Sequence, residues 1–275
     1  MIFLRYVLSG TVKIVPDGTF QRMVFIVQNY YPMFLEGLKY TLVISLVGTL
    51  FGVLIGMILA SMKIQKITKR DSFTIRILKR AGIIFSTAYV DIVRGTPMML
   101  QAIILYYAFF VKWFDMSVML AGIIIISLNT AAYATEVLRG AINAIDKGQM
   151  EAARSLGMSY KQAMLKVILP QAFKNSVPAI GNELVINIKD SSVLSVIGVI
   201  ELMYQSKAAA SQYFLHVESA LVAGIVYLIL TMSATRLLEY FDKKLNSPSG
   251  SALKISIPTS QSFQSRKRGN AKWRL

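Results

Sequence analysis

The sequence predicts an all-α membrane protein, because long apolar runs alternate with short basic stretches along the chain. Of the 275 residues, 55% are hydrophobic and 16% are charged, and the mean hydropathy is +0.53. Soluble domains carry about 25% charged residues, so this composition favours a chain embedded in a bilayer. The net charge of +16 fits lysine and arginine gathered on the cytoplasmic side of a membrane, and we expect no nucleic-acid partner.

The residue types exclude several kinds of chemistry. Without cysteine, the chain can form neither a disulfide nor a thiolate metal site. Its single histidine, His216, leaves zinc chemistry unsupported. A membrane-embedded hydrolase would need a nucleophile with its base or a metal cluster. We therefore expect no metal and no cofactor on this chain.

Charge-free runs locate the membrane spans. The first run, residues 40–62, has 23 residues, enough to cross an apolar core of ~30 Å at ~1.5 Å per residue. Four further spans are predicted, at residues 95–111, 116–135, 175–200 and 219–235. The fourth of the five spans is irregular, because Glu183, Lys189 and Asp190 interrupt it.

Basic residues set the orientation of these spans. The connection after the first span holds one acid, Asp71, among seven basic residues: Lys63, Lys66, Lys69, Arg70, Arg76, Lys79 and Arg80. The positive-inside rule assigns this connection to the cytoplasm, so the N-terminus is predicted outside and the C-terminus inside. Residues 143–172 are then cytoplasmic, and the turns near residues 112–115 and 205–213 are external.

Both ends of the chain are predicted to lie outside the transmembrane domain, residues 34–245. Within the N-terminal flank, residues 1–33, the mixed stretch 20–31 predicts an amphipathic helix along the membrane interface. The first span is too long, and begins too far from Met1, for a cleaved signal peptide. Residues 246–275 combine Ser, Pro and Gly with a basic end, which predicts a disordered cytoplasmic tail in contact with anionic lipid.

The cytoplasmic segment contains the stretch "KGQMEAARSLGMSYKQAMLKVILP". Residues 150–156 favour a helix that Gly157 ends, and Ser159 is a good N-cap for a second helix that Pro170 ends. Ala152 and Ala153 make the first helix slender, so that it could enter the groove of another protein. An ordinary hairpin on the membrane surface explains the same residues equally well.

Charged residues in the fourth span are candidates for a substrate site, because ionisable groups inside a bilayer are costly. At about 100° per residue, Glu183, Asn187 and Asp190 share an arc of about 60°, whereas Lys189 points elsewhere. Two carboxylates there suit the ammonium of an amino acid or a cationic side chain. Alternatively, the acids pair with Lys189 or with a neighbouring subunit.

Asp190, Ser191 and Ser192 together form a strong N-cap sequence. We therefore expect a helix that breaks near the middle of the membrane and restarts at these residues. The new helix N-terminus and the two serine hydroxyls would face a substrate carboxylate.

Thr96, Pro97 and Gln101 in the second span are further candidates for substrate binding. A proline kink frees carbonyl groups, and the other two side chains supply a hydroxyl and an amide. Packing around an ordinary kink is an equal alternative.

Two other patterns indicate structure rather than transport. Acids and bases three residues apart predict ion pairs, namely Asp91 with Arg94 and Glu136 with Arg139. Glycine at every fourth position of the first span predicts close helix packing, at Gly48, Gly52 and Gly56.

Several motifs in order resemble the permeases of ATP-binding-cassette importers. The segment around Glu151, Ala152, Ala153 and Gly157 resembles the EAA loop of that family. Three further stretches resemble its polar amino-acid branch: "DIVRGTPMMLQ", "NTAAYATEVLRGAI" and "GNELVINIKDSSVLSVIGVIEL". The resemblance covers roughly residues 35–240.

The resemblance implies a type I importer permease in a bacterial cytoplasmic membrane. Its EAA helix, with Glu151, Leu156 and Gly157, would insert into a cleft of a cytosolic ATPase dimer. A second permease chain, identical or related, and an extracellular or periplasmic amino-acid-binding protein are the other implied partners. In relatives that bind arginine, acids of the fourth span contact the side chain, and Glu183 and Asp190 match those positions.

No G-x-x-x-x-G-K-[ST] phosphate loop occurs in the sequence. We therefore expect ATP and magnesium to bind the partner ATPase, and this chain not to be an enzyme. The alternative function is a secondary transporter or a channel that acts without an ATPase, although five spans lack the internal repeat that many secondary transporters have.

Overall fold

The computed structural model describes residues 15–69 and 71–246, and every regular element in these two ranges is helical. The helices are α1 (Thr19–Lys63), α2 (Phe73–Gly95), α3 (Met98–Ile104), α4 (Val111–Phe114), α5 (Val118–Asn143), α6 (Lys147–Ser155), α7 (Tyr160–Ala163), α8 (Leu169–Asp190), α9 (Leu202–Ser211) and α10 (His216–Asn246). Two π-helical segments, Leu105–Phe110 and Met164–Ile168, lead into α4 and α8, and a 3₁₀ segment, Ser191–Ile197, follows α8.

The chain forms two units. The first, Met1–Tyr240, contains α1 to α9 and most of α10. Of the second, Phe241–Leu275, the described part is the last stretch of α10, which ends at Asn246. Of the predicted tail, residues 246–275, all but Asn246 lies outside the described residues.

Close contact between α1 and α5 forms the centre of the first unit. Gly48, Gly52 and Gly56 lie against α5, and a Cβ atom added at Gly52 would lie 2.5 Å from the Cβ of Thr130. Added Cβ atoms at Gly48 and Gly56 would meet Ile126 and Ala134 at 2.6 and 2.7 Å. The predicted packing role of the glycine row is confirmed, because only glycine lets the two backbones approach this closely.

Three helices of the described part are long and apolar enough to cross a membrane: α1, α5 and residues His216–Lys244 of α10. Helix α2 and the following Met98–Phe114 meet the same standard as a pair bent by 107°. Helix α8, the predicted fourth span, is not among them, and it contains four charged residues, Lys174, Glu183, Lys189 and Asp190.

The predicted second span, residues 95–111, is preceded by a long helix that was not predicted, and where the span begins stays a prediction. Helix α2 begins at Phe73, and the chain leaves the helix at Thr96, whose backbone is extended with φ −124° and ψ 146°. The residue before a proline disfavours the α conformation, so Pro97 starts a new helix instead of kinking one. Helix α2 was not predicted as part of a span, because Asp91 and Arg94 interrupt its apolar run.

The predicted flank, residues 1–33, and the first span belong to one helix where they are described. Helix α1 runs from Thr19 through Pro32 without a break. Phe25 and Ile26 are buried in a cluster with Leu202 of α9, so this flank packs against the protein. Its position along a membrane interface stays a prediction.

Pro170 does not end the second cytoplasmic helix, contrary to the prediction. The helix continues through the π-helical segment, where the Leu169 N–H donates to the Met164 carbonyl, and Pro170 then lies in the first turn of α8. A proline is tolerated there, because the first N–H groups of an α-helix have no intrahelical partner.

Candidate substrate site and coupling helix

Helix α8 turns its polar residues toward the protein interior. Glu183 and Asn187 are buried and Asp190 is half-buried, whereas Lys189 is exposed. This is the arrangement expected for one shared face of an α-helix. The role of these side chains as substrate ligands stays a prediction.

Asn187 ties α8 to the two central helices. Its Nδ2 donates hydrogen bonds to Thr49 Oγ1 on α1 at 2.7 Å and to Thr130 Oγ1 on α5 at 2.8 Å. Both amide hydrogens are thus committed to internal partners. Asn187 therefore belongs to the framework that holds the neighbouring acids in position.

The expected new helix at Asp190 is wrong. Asp190 has a helical backbone and caps no N–H group, and the chain tightens into 3₁₀ geometry instead of restarting. Ser191 is buried and donates to the Ile188 carbonyl at 2.9 Å, while Ser192 is half-buried. Since the backbone stays helical from Asp190 into Ser191, no free helix N-terminus is available to a carboxylate at these residues.

The two acids of α8 have different cations near them: Arg94, at the end of α2, for Glu183, and Lys189 for Asp190. The Glu183 carboxylate lies within electrostatic range of Asp190 and of Arg94. The Arg94 guanidinium also lies 5.2 Å from the centroid of the Tyr133 ring. The predicted Asp91–Arg94 ion pair is wrong, because no such pair occurs among the described residues.

The two carboxylates of α8 have no bonded partner of their own. Among the described residues, neither Glu183 nor Asp190 accepts a hydrogen bond or forms an ion pair. Glu183 therefore has a second acid, Asp190, and one guanidinium, that of Arg94, within electrostatic range, but no hydrogen bond to either. Sequence reasoning missed Arg94 as a site residue, although an arginine in an apolar region was a usable signal.

Gln101 holds the bend between α2 and α3. Its Nε2 donates to the Val93 carbonyl at 2.7 Å, to the Thr96 carbonyl at 3.0 Å and to Thr96 Oγ1 at 2.8 Å. Its Oε1 accepts from Asn129 Nδ2 of α5 at 3.3 Å. These bonds satisfy the carbonyl groups at the end of α2 and so fix the place where Arg94 lies.

The cytoplasmic helix α6 has well-formed ends. The Asp146 side chain accepts the N–H of Gly148 at 2.6 Å, and Gly157 adopts φ +83° just after the helix. Ser159 and Gln162 then form a reciprocal capping box at the start of α7. The predicted glycine stop and serine N-cap are both confirmed.

The outer face of α6 is open to a partner. Ala153 is buried at 4% exposure, whereas Glu151, Ala152 and Leu156 are exposed, and Leu156 reaches 81%. An exposed leucine on a polar helix is the kind of residue that a partner protein can bury.

A basic cavity lies beside α6. It has a volume of about 560 Å³ and is lined by Glu151 together with four cations: Lys63, Lys66, Arg139 and Lys147. Glu151 thus faces the ends of α1 and α5 as well as the open side. The cavity is the space across which α6 meets the helices of the membrane domain.

An ion network joins α1 and α5 at this cavity. Glu136 accepts from Lys63 Nζ at 2.6 Å through Oε1, and from Arg139 Nη2 at 2.6 Å and Nε at 3.0 Å through Oε2. The predicted Glu136–Arg139 pair is confirmed, and Lys63 is an additional member. Both oxygens of the carboxylate are occupied.

Glu201 is a buried acid that sequence reasoning missed. It is fully buried and caps α9 by accepting the N–H groups of Met203 and Tyr204 at 2.9 and 2.7 Å. The Tyr227 hydroxyl of α10 donates to the same carboxylate at 2.6 Å. An acid directly before a helix-forming run was the available signal, and the bonds give Glu201 a structural role.

Comparison with known proteins identifies the family of this chain. Residues 48–247 match the family described as the binding-protein-dependent transport system inner membrane component. The arginine transport system permease protein ArtQ of Bacillus subtilis (strain 168) is 36% identical over 217 residues, which cover 78% of this chain and 94% of that protein.

Two solved structures have a similar fold. An amino acid ABC transporter with histidines has a TM-score of 0.72 at 32% identity, covering 84% of this chain and 100% of that chain. The inward-facing methionine ABC transporter MetNI has a TM-score of 0.65 at 20% identity, covering 78% and 96%, and it supports the fold alone. The chain belongs to the family of binding-protein-dependent transport system inner membrane components, the membrane permeases of ABC transporters.

Proposed function

We propose that the chain is the permease subunit of an ATP-driven amino-acid importer in a bacterial cytoplasmic membrane. It crosses the membrane five times, with its N-terminus outside and its C-terminus inside, and α8 is the irregular fourth span. The names of similar proteins, an arginine transport permease and an amino acid ABC transporter, support this substrate class.

The observation that carries the proposal is the pair of neighbouring acids, Glu183 and Asp190, with Arg94 within electrostatic range of Glu183. An amino acid presents a carboxylate and an ammonium group, so Arg94 receives the first and an α8 acid the second. A cationic amino acid has two positive groups and one negative group. It therefore matches two acids and one guanidinium in number as well as in sign, and we infer a cationic substrate.

Thr96, Pro97, Gln101 and Asn187 act in this site by positioning. The bend that Thr96 and Pro97 make, together with the Gln101 bonds, holds Arg94, and Asn187 anchors α8 between α1 and α5. Ser192, two residues after Asp190 and half-buried, is the serine available to a substrate. Ser191 is committed to a backbone bond.

Helix α6 couples the chain to a separate ATPase dimer. Leu156 and Ala152 enter a cleft of that partner from the exposed face, while Glu151 and Ala153 face the membrane domain. ATP and magnesium bind the ATPase, and this chain binds no cofactor. An external binding protein delivers the amino acid, and a second permease chain completes the path.

Motion of α6 reaches the substrate site through packed helices. The network of Glu136 ties the cytoplasmic ends of α1 and α5 together beside α6. Asn187 bonds to both of these helices and lies one turn from Glu183. Movement of the α1–α5 pair therefore shifts the acids of α8, which alternates access to the site.

The coupling role is tested on the complex purified from cells that express the full importer. Leu156→Ser should weaken retention of the ATPase subunit by about 10- to 30-fold, because a buried anchor contributes ~2 kcal/mol to an interface. Phe214→Ser is the matched control, since Phe214 is 83% exposed and directly follows the predicted external turn, residues 205–213. Glu151→Lys should leave substrate binding intact while separating ATP hydrolysis from uptake.

Two results would contradict the proposal. Retention of the ATPase that is equal in the Leu156 and Phe214 variants would remove α6 from the interface. Amino-acid uptake that follows a proton gradient without any ATPase would favour the alternative, a secondary transporter.

A further inference from the structure

A second groove lies beside the connection between α1 and α2. Its volume is about 830 Å³, and it is bounded by Ile64 on one side and by Met164, Leu165 and Leu169 on the other. Leu165 is 53% exposed, although it lies in a segment with several lysines. Apolar side chains therefore form the floor of an open groove.

Three lysines surround this apolar floor: Lys66, Lys79 and Lys161. No acid is among the lining residues. Lys79 is paired with Asp71 at 2.9 Å, and the Lys66 ammonium lies 5.6 Å from the centroid of the Tyr160 ring. Lys161 forms no ion pair within the described part of the chain, so the rim is positive and partly uncompensated.

An occupant that matches this groove is anionic at one end and apolar at the other. Free phosphate or a nucleotide would leave the floor uncovered, and a neutral lipid would leave the rim uncompensated. Ser61, which also lines the groove, is near the end of the charge-free run of α1. In the proposed orientation, the groove therefore opens at the depth of the lipid headgroups of the cytoplasmic leaflet.

We propose that this groove binds an anionic phospholipid of the cytoplasmic leaflet. Its phosphate lies between Lys66 and Lys161, and an acyl chain lies along Leu165 and Leu169. The inference rests on the proposed function for the orientation of the chain in the membrane, and it extends that function to lipid recognition.

A bound lipid would affect coupling to the ATPase, because the groove and the basic cavity beside α6 have lining residues in common. Lys66, Tyr160 and Met164 line both this groove and the basic cavity beside α6. An occupant of the groove therefore restrains the side chains on which α6 and α7 rest. The consequence is an ATPase activity that depends on the anionic lipid content of the membrane.

The test uses the full complex in phosphatidylcholine nanodiscs, titrated with acyl-labelled phosphatidylglycerol and read by energy transfer from a dye near α7. Lys161→Gln should weaken binding of phosphatidylglycerol by about fivefold, the effect of one lysine near an anionic headgroup. Lys166→Gln is the matched control, because Lys166 is exposed in the same segment and does not line the groove. Leu165→Asp should abolish binding.

Three other outcomes would overturn the lipid site. Equal weakening by the two lysine variants would mean a diffuse surface charge, and displacement by soluble glycerol phosphate would mean a site for free phosphate. A signal that appears only after the ATPase is removed from the complex would assign the groove to that protein. Phosphatidylglycerol binding that follows the expected pattern in a complex without amino-acid uptake would retain the lipid site and reject the proposed function.

Discussion

Glu136 and Glu183 are both carboxylates on helices of the membrane domain, yet their surroundings differ. Glu136 accepts three hydrogen bonds from Lys63 and Arg139. Glu183 is more deeply buried and, among the described residues, accepts none. Its neighbours are a second acid, Asp190, and a guanidinium that lies over an aromatic ring.

The difference separates a framework charge from a ligand-binding charge. In the proposed orientation, Glu136 lies at the cytoplasmic end of α5, where three hydrogen bonds compensate its charge. Glu183 has no such bonds among the described residues, and a charge inside a membrane helix costs about 2.5–3.5 kcal/mol. A buried carboxylate without a bonded partner is available to bind the positively charged group of a ligand.

Removal of the unsatisfied acid should have the largest effect on transport. We expect Glu183→Gln to raise the concentration of arginine for half-maximal uptake by about 30-fold, since a hydrogen bond between charged groups contributes ~2 kcal/mol. The unfolding temperature should not fall, because the variant removes an uncompensated buried charge. Uptake into proteoliposomes and thermal unfolding measure the two quantities.

Asp115→Asn is the control for this prediction, since Asp115 is exposed and its left-handed backbone suits asparagine. Arg94→Gln sharpens the result, because it should weaken uptake of neutral and cationic amino acids alike. A Glu183 variant that unfolds at a lower temperature with unchanged uptake kinetics would make this acid a second framework charge.

Substitution of Glu136, the acid with bonded partners, should lower the stability of the protein and leave uptake unchanged. Glu136→Gln leaves Lys63 and Arg139 without their counter-charge, so we expect the free energy of unfolding to fall by about 1–2 kcal/mol. The concentration for half-maximal uptake should not change. A double-mutant cycle with Lys63→Gln, followed by thermal unfolding, measures the coupling between the two residues. Effects that simply add would show that the network does not stabilise the fold.

Features that depend on local spacing could be predicted from the sequence. The glycine row of α1, the stop at Gly157 and the cap at Ser159 each follow from residues within one or two helical turns. The Glu136–Arg139 pair belongs to the same class. Backbone geometry over such distances is nearly independent of the rest of the fold.

Features that depend on distant helices could not be predicted. Lys63 bonds to Glu136 across 73 positions, and Asn187 bonds to Thr49 across 138. The partner of Arg94 was assigned to Asp91 because only near neighbours are visible in a sequence. Likewise, Asp190 is a residue type that often caps helices, but here its backbone is helical and its side chain caps no N–H group.

Asp71 extends the comparison to a paired acid outside the membrane, where the expected effect is smallest. The Thr68 N–H at 2.8 Å, and then the Lys79 ammonium at 2.9 Å, hold the pKa of this carboxyl below its ordinary value of 3.8. Because its pKa is lowered in the folded state, the ionised Asp71 carboxylate stabilises the fold above pH 3.8. This contribution is lost as the pH falls through the lowered pKa. Asp71→Asn should therefore unfold at a slightly lower temperature near pH 7, with the difference vanishing in strong acid. A difference that stayed constant across a pH series would mean that the Asp71 charge does not stabilise this connection, because the asparagine retains the shape of the side chain and loses only its charge.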